Sequence, residues 1–323
     1  MNRRTFIRLA AASAFALEWL PFVAEASAGP SKVVRIRNRA MAKGGRADSI
    51  SLKKMVDRAV CLLTDREDAR EAWSSLFSPH DTIGIKVNCL AGRGLSSHPP
   101  LVDAIASSLH EIGIKKKEII VWDRSDQDLG KAGFRPGSRS DLYRCFGTDQ
   151  VGFSEDLYEN GSVGSLVSSI LTKMCSAIIN VPVLKDHGIT GVSIALKNYF
   201  GAIHNPNKYH PDGGTPYIAD LNAMDIIRKK ERLVVCDGIR VQYHGGPALA
   251  PRWNRADGSI LVADDPVALD YVGFRMIEKM REQAGMPSLE EEKRYPRYIF
   301  YAAERYGMGN ASDDKIELVR EEV

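Results

Sequence analysis

The sequence lacks clustered cysteines, long apolar runs and a strong charge of either sign, and each lack excludes something. Its 323 residues include five cysteines, Cys61, Cys89, Cys145, Cys175 and Cys236, with no C-x-x-C pair among them. A structural zinc site or an iron–sulfur cluster needs gathered thiolates, so no iron–sulfur cluster is expected in this chain. The odd number leaves at least one free thiol, and the spacing does not select a disulfide pair. Buried, inert thiols are expected, since Cys175 and Cys236 sit beside strand-like runs. The 44 basic and 41 acidic residues give a net charge of only +3. No dense basic stripe marks a nucleic-acid surface, so no nucleic-acid partner is expected. There is no G-x-x-x-x-G-K-[ST] loop and no G-x-S-x-G elbow. Gly92-Arg93-Gly94 follows a strand but lacks the third glycine of a dinucleotide fingerprint.

What is present begins at the first residues. Arg3 and Arg4 precede Phe6 and Ile7, an apolar run spans Leu9 to Val23, and Ala26-Ser27-Ala28 has the form of a cleavage site. This segment resembles a twin-arginine export signal, with Asn2 and Glu18 as departures. A periplasmic or otherwise extracytoplasmic location is expected, with the twin-arginine export machinery as a partner and a membrane tether if residues 1–28 are retained. No other stretch approaches the roughly 20 apolar residues of a bilayer span. Removing residues 1–28 takes away three arginines and two glutamates, so the charge of +3 becomes +2. About 295 residues remain, enough for one large α/β domain or two modest lobes.

Apolar strands alternate with amphipathic helices. Lys32–Arg39 reads as an edge strand and Ser51–Phe77 as one helix. Thr82–Val87 is a strand, and His98-Pro99-Pro100 opens a helix with proline in its first turn. Glu118–Trp122 and Ala177–Leu184 read as strands, and Gly191–Phe200 and Ala219–Lys229 as helices. Leu233–Cys236 and Ile260–Ala263 are further strands, and Pro266–Met280 is the last clear helix. This order predicts an α/β fold, a mostly parallel sheet with helices on both faces. Residues 29–283 form the α/β domain. Residues 125–165 look like an excursion, and residues 284–323 like a packed, partly helical tail with a frayed end.

In open parallel sheets, ligands bind beyond the carboxyl ends of the strands. Those ends are polar here: Lys86 and Asn88, Asp123, Lys185-Asp186-His187, Asp237, and Asp264-Asp265. Side chains alternate along a strand, so Lys86 and Asn88 share a face opposite Ile83, Ile85 and Val87. The densest stretch, Asn180 to Gly214, holds Lys185, His187, Lys197, Asn198, His204, His210 and Asp212. Two like charges ~4 Å apart repel by about 4 kcal/mol at an effective dielectric of 20. Three lysines in one cleft therefore require a small anionic ligand, an acidic partner such as Asp186 or Asp237, or a lysine of depressed pKa. Taken singly, each lysine is more readily read as a solvated surface charge. On the cleft reading, Lys185, His187 and Lys197 are catalytic candidates, and Lys86, Asn88, Asn198 and Asp237 substrate-binding candidates. His204, His210 and Asp212 are candidate ligands for a divalent metal.

The runs Ile179–His187 and Gly191–Gly201 resemble the signature of the family called domain of unknown function 362. Ile85-Lys86-Val87-Asn88 with His98-Pro99, and Asp264 to Asp270, resemble its outer blocks. The resemblance spans most of residues 80–275. It implies an α/β fold and, in many members, an export signal, but no known reaction. Many such proteins carry an attached cysteine-rich ferredoxin-like module that is missing here, so any cluster would come from a redox partner protein. The lysine–histidine cluster is also distantly similar to the nickel-pincer lactate racemase family, a likeness at the level of fold. An enzyme acting on a small anion is expected. A non-catalytic binding or cofactor-delivery protein is the alternative.

Overall fold

The computed structural model describes residues 29–137 and 140–323. The twin-arginine segment, residues 1–28, lies outside the described residues. Twelve strands occur among those described: β1 (Ser31–Arg37), β2 (Ile83–Val87), β3 (Ile119–Trp122), β4 (Arg144–Cys145), β5 (Tyr158–Asn160), β6 (Val163–Ser165), β7 (Ala177–Val181), β8 (Val183–His187), β9 (Gly191–Ser193), β10 (Glu231–Gln242), β11 (Asn254–Ala263) and β12 (Ile316–Glu322). The helices used below are α1 (Ser49–Thr64), α2 (Pro99–Glu111), α3 (Ala195–Asn198), α4 (Pro266–Gln283) and α5 (Arg297–Tyr306).

The main sheet runs β12-β1-β11-β10-β7-β2-β3-β4, with β8 pairing β10 and β9 alongside. Most pairs are parallel. The exceptions are β11, antiparallel to both its neighbours, and the β8–β9 hairpin. The expected mostly parallel α/β architecture is therefore observed, as one continuous sheet.

Strand alternation builds a core on each face. Ile83, Ile85, Val87, Val121 and Ile179 pack with α1 and α2 on one side. Ile120, Trp122, Ile178, Val234 and Cys236 pack with α4 and α5 on the other. Each large aliphatic side chain so buried contributes about 1.5–3 kcal/mol. All five cysteines are free and buried. Desolvation pushes the Cys145 and Cys175 thiols up to about 12, which leaves them unreactive.

Several elements differ from expectation, each for a local reason. The first strand is not an edge, because β12 covers it in parallel register from Ser31 to Arg37. The chain's last residues are thus part of the sheet rather than frayed. The helix expected over Ser51–Phe77 breaks at Asp65, which adopts a left-handed φ of 53°, and restarts at Ala69 with Asp68 as its cap. The run Ala177–Leu184 divides at Pro182, which has no N–H for the ladder. β8 then diverges to pair with β9. Gly191–Ser193 is a strand instead of helix, and only Ala195–Asn198 is α-helical, followed by a tighter turn over Tyr199–Ala202. Ala219–Lys229 is two short helices, Tyr217–Asn222 and Asp225–Arg228. Among the described residues, no helix is long and apolar enough to cross a membrane.

Strand direction also relocates two of the expected site positions. β11 runs against β10, so its carboxyl end, with Asp264 and Asp265, lies at the opposite edge of the sheet from Lys86 and Lys185. Asp237 lies within β10 rather than at its exit.

Candidate active site

Lys86 and Asn88 follow the same face of β2, as alternation requires. Lys86 is fully buried, and its ammonium is held by three oxygens. It donates to Oδ1 of Asp123 at 2.8 Å, to the Val87 carbonyl at 2.6 Å and to Oδ1 of Asn198 at 3.3 Å. The other oxygen of Asp123 accepts from the Cys89 amide at 2.7 Å. Asp123, at the end of β3, is therefore the counterion that the lysine cluster requires. Neither Asp186 nor Asp237 fills that role. Asp186 turns away, accepting from the Gly246 amide and from Arg294. Asp237 is sealed by His98, whose backbone N–H and ring Nδ1 both lie 2.8 Å from Oδ2. The Asp237 carboxylate raises the His98 pKa. Asp237 is thus a structural anchor for the start of α2 and not a ligand-facing residue.

Three asparagines bind the cluster together. Asn198 donates to Oδ1 of Asn180 at 2.8 Å and accepts from Asn88 at 3.1 Å. Asn180 donates to the Ala195 carbonyl at 3.0 Å and to Glu231 at 2.8 Å. Asn88 accepts from Lys185 at 2.7 Å. The network is continuous from Glu231 to Lys185, and each amide orientation is set by its neighbours.

Among the described residues, Lys185 and Lys197 have no carboxylate within ion-pair distance, although the charges of Asp123 and Asp186 act on Lys185 from farther off. Burial lowers the Lys185 pKa to about 8. Burial, then the charge of Lys185, lowers that of Lys197 to about 7. Lys197 lies 3.1 Å from Nε2 of His210 and 4.5 Å from the Phe200 ring centroid. Nδ1 of His210 lies 3.2 Å from the Pro206 carbonyl, which fixes a donor there and leaves Nε2 to accept from Lys197. His187 stacks on His210, with ring centroids 5.6 Å apart. Its Nδ1 accepts from the Ile189 and Thr190 amides. Burial and then Lys197 depress its pKa to about 2, so it is neutral with its proton on Nε2. His187 is therefore a donor at neutral pH, while Lys197 is the group poised to take or give a proton.

The short α3 places Lys197 and Asn198 on consecutive positions, and Asp270 of α4 caps it. The Asp270 carboxylate accepts from the Ala195 amide at 2.7 Å and from the Leu196 amide at 3.2 Å. Gly201 follows, where a Cβ would come within 2.7 Å of Asp123 Oδ1 and 2.9 Å of Lys86 Nζ. Only glycine fits there.

Of the candidate metal ligands, only His210 joins the cluster. His204 is exposed and set edge-on against Phe153. Asp212 is exposed in a left-handed turn. Among the described residues no three His, Cys, Asp or Glu side chains converge as a metal set. Asp123, Asn180 and Asp270 were missed as site residues. The Asp123 strand exit was a visible signal, but nothing local selects it over Asp186 or Asp237.

The chain resembles no curated protein closely enough to give a match. Residues 83–275, more than half of its length, match the family described as Domain of unknown function (DUF362), and every residue of the lysine–asparagine cluster falls within that span. The chain therefore belongs to the DUF362 family.

Proposed function

We propose that the protein is an exported enzyme acting on a small carboxylate-like anion bound at Lys185 and Lys197. The observation that carries this reading is two neighbouring buried lysines with no ion-pair partner among the described residues, next to a third lysine that has one. Asp123 neutralises Lys86, so Lys86 serves as scaffold. An arriving anion would restore charge balance for the other two, and both would be fully protonated in its presence. The Nε2–H of neutral His187 supplies a directional donor to the same anion. Lys197, protonated beside the bound anion, is suited to act as a general acid on it. The twin-arginine-like segment supports an extracytoplasmic address.

Isothermal titration with oxalate, in buffers of different ionisation enthalpy, tests this reading. Binding with net proton uptake at pH 8 is expected, and it should vanish in Lys185→Ala and Lys197→Ala. Binding that is unchanged in both variants would sink the assignment. A screen of small hydroxy- and keto-acids for turnover then separates an enzyme from a binding protein.

A further inference from the structure

A cavity of about 710 Å³ opens at the other edge of the sheet, where β1 and β10 begin and β11 ends. Its wall includes Asn222, Glu231 and Asp264, with Ile227, Phe300 and Met308 as apolar surface. Asn222, Glu231 and Asp264 present acceptors to it. Asn222 is 2% exposed, and its amide donates to the Leu196 carbonyl at 2.8 Å and the Ile218 carbonyl at 2.7 Å. Two carbonyls on the nitrogen fix the orientation of the side chain, so Oδ1 is the atom that remains, and no donor reaches it among the described residues. Glu231 has one oxygen on Asn180, and the Tyr199 hydroxyl also interacts with its carboxylate. Its pKa is raised to about 7 by burial, as expected of a carboxyl short of compensating charge. Desolvation of its carboxyl raises the Asp264 pKa, although the side chain is partly exposed and its own amide, the Lys32 charge and the Asp265 amide act against the rise.

The neighbouring groups do not meet this demand. Asp265 is fully engaged as the α4 cap, accepting from Ser31, Val267, Ala268 and Asn310. Lys32 is committed to Asp65 at 2.5 Å and to the Leu62 carbonyl. Arg228 and Lys315 are exposed at the cavity lining.

We propose that this cavity is a binding site for a small molecule bearing a primary ammonium group, recognised by Asn222, Glu231 and Asp264. An ammonium carries three N–H donors and one positive charge. It therefore matches an amide carbonyl and two carboxylates, while a short aliphatic body covers Ile227, Phe300 and Met308. The cavity is distinct from the place of the anion at Lys185 and Lys197, although the asparagine network links Glu231 to Lys185 and both sites touch α3: Asn222 holds the Leu196 carbonyl, and Asn180 holds that of Ala195.

Saturation-transfer NMR on the full chain, with n-butylammonium chloride as probe and sodium butyrate as control, tests the proposal. Saturable butylammonium binding at pH 8 is expected, with no comparable butyrate signal. Affinity should fall about tenfold in Glu231→Gln and in Asp264→Asn, the loss of one charge-assisted hydrogen bond. It should also weaken as the pH drops below about 7, where Glu231 takes up a proton. Asp264 is exposed, so Asp264→Asn is the variant that decides if Glu231→Gln fails to fold. Absence of saturable butylammonium binding, equal binding of butyrate, or undiminished affinity in the folded variants would overturn it.

Discussion

Lys185 donates a 2.7 Å hydrogen bond to Oδ1 of Asn88, and among the described residues no carboxylate pairs with its ammonium, Asp123 and Asp186 acting on it only from a distance. Lys86, on the other side of the same asparagine network, is paired with Asp123 at 2.8 Å. One lysine is neutralised and its neighbour is not. On the proposed function, that asymmetry separates a scaffold charge from a binding charge.

Stability should rise when the binding charge is removed. The folded-state pKa values of Lys185 and Lys197, about 8 and about 7, lie below the ordinary 10.5. The folded protein then holds fewer protons than the unfolded chain between those values and 10.5, so stability climbs with pH through that window. Lys197→Met removes a penalty that is fully present below pH 7. Chemical denaturation at pH 6 should show it more stable on the order of a few kcal/mol, with the gain shrinking toward pH 10.

The opposite holds for the scaffold pair. Asp123→Ala leaves Lys86 buried without a counterion, and a broken buried ion pair costs about 3–5 kcal/mol. Gly201→Ala forces a Cβ against the same two groups and should destabilise in the same direction. Urea midpoints of both variants check this, and a wild-type midpoint for either would refute the pairing.

Anion affinity should depend on pH with a definite sign. Deprotonation of Lys197 and then Lys185 removes the charges that hold the ligand, so affinity should be highest below about pH 7 and fall steeply above about pH 8. His187 stays neutral throughout this range, so its substitution should lower affinity without moving the pH profile.

The hairpin that carries Lys185 and His187 is held from the C-terminal segment. Arg294 donates to the His187 carbonyl at 3.0 Å and to Asp186 at 3.4 Å, and Tyr298 donates to the Val192 carbonyl at 3.1 Å. Arg294→Ala should leave Asp186 unpaired and cost about 3 kcal/mol. Hydrogen exchange should quicken over residues 183–193 and stay unchanged in β2 and β3.

Helix α3 depends on a cap from a distant helix. Asp270→Ala removes the acceptor for two of its first amides, which should cost about 1–2 kcal/mol. Because α3 carries Lys197 and Asn198, oxalate affinity should fall as well. Asp270→Asn, which keeps one acceptor oxygen, should recover part of both.

Much of this was legible in the sequence because it is local. Alternation along Ile83–Val87 determined that Lys86 and Asn88 share a face. Pro99 marked the start of α2, and the alternation of strands with helices determined an α/β sheet. The crowding of lysine, histidine and asparagine between Asn180 and Gly214 marks a candidate site in the sequence itself. Direction and partner choice were decided only by the tertiary structure. β11 reads the same whether parallel or antiparallel, yet its direction sends Asp264 and Asp265 to the far edge of the sheet. Asp123, Asp186 and Asp237 are equivalent as strand-associated aspartates, and only packing gives them Lys86, Arg294 and His98 respectively. The depressed pKa values of Lys185 and Lys197 belong to the same class of fact, since desolvation is a property of what surrounds a charge and not of the residues beside it in the chain.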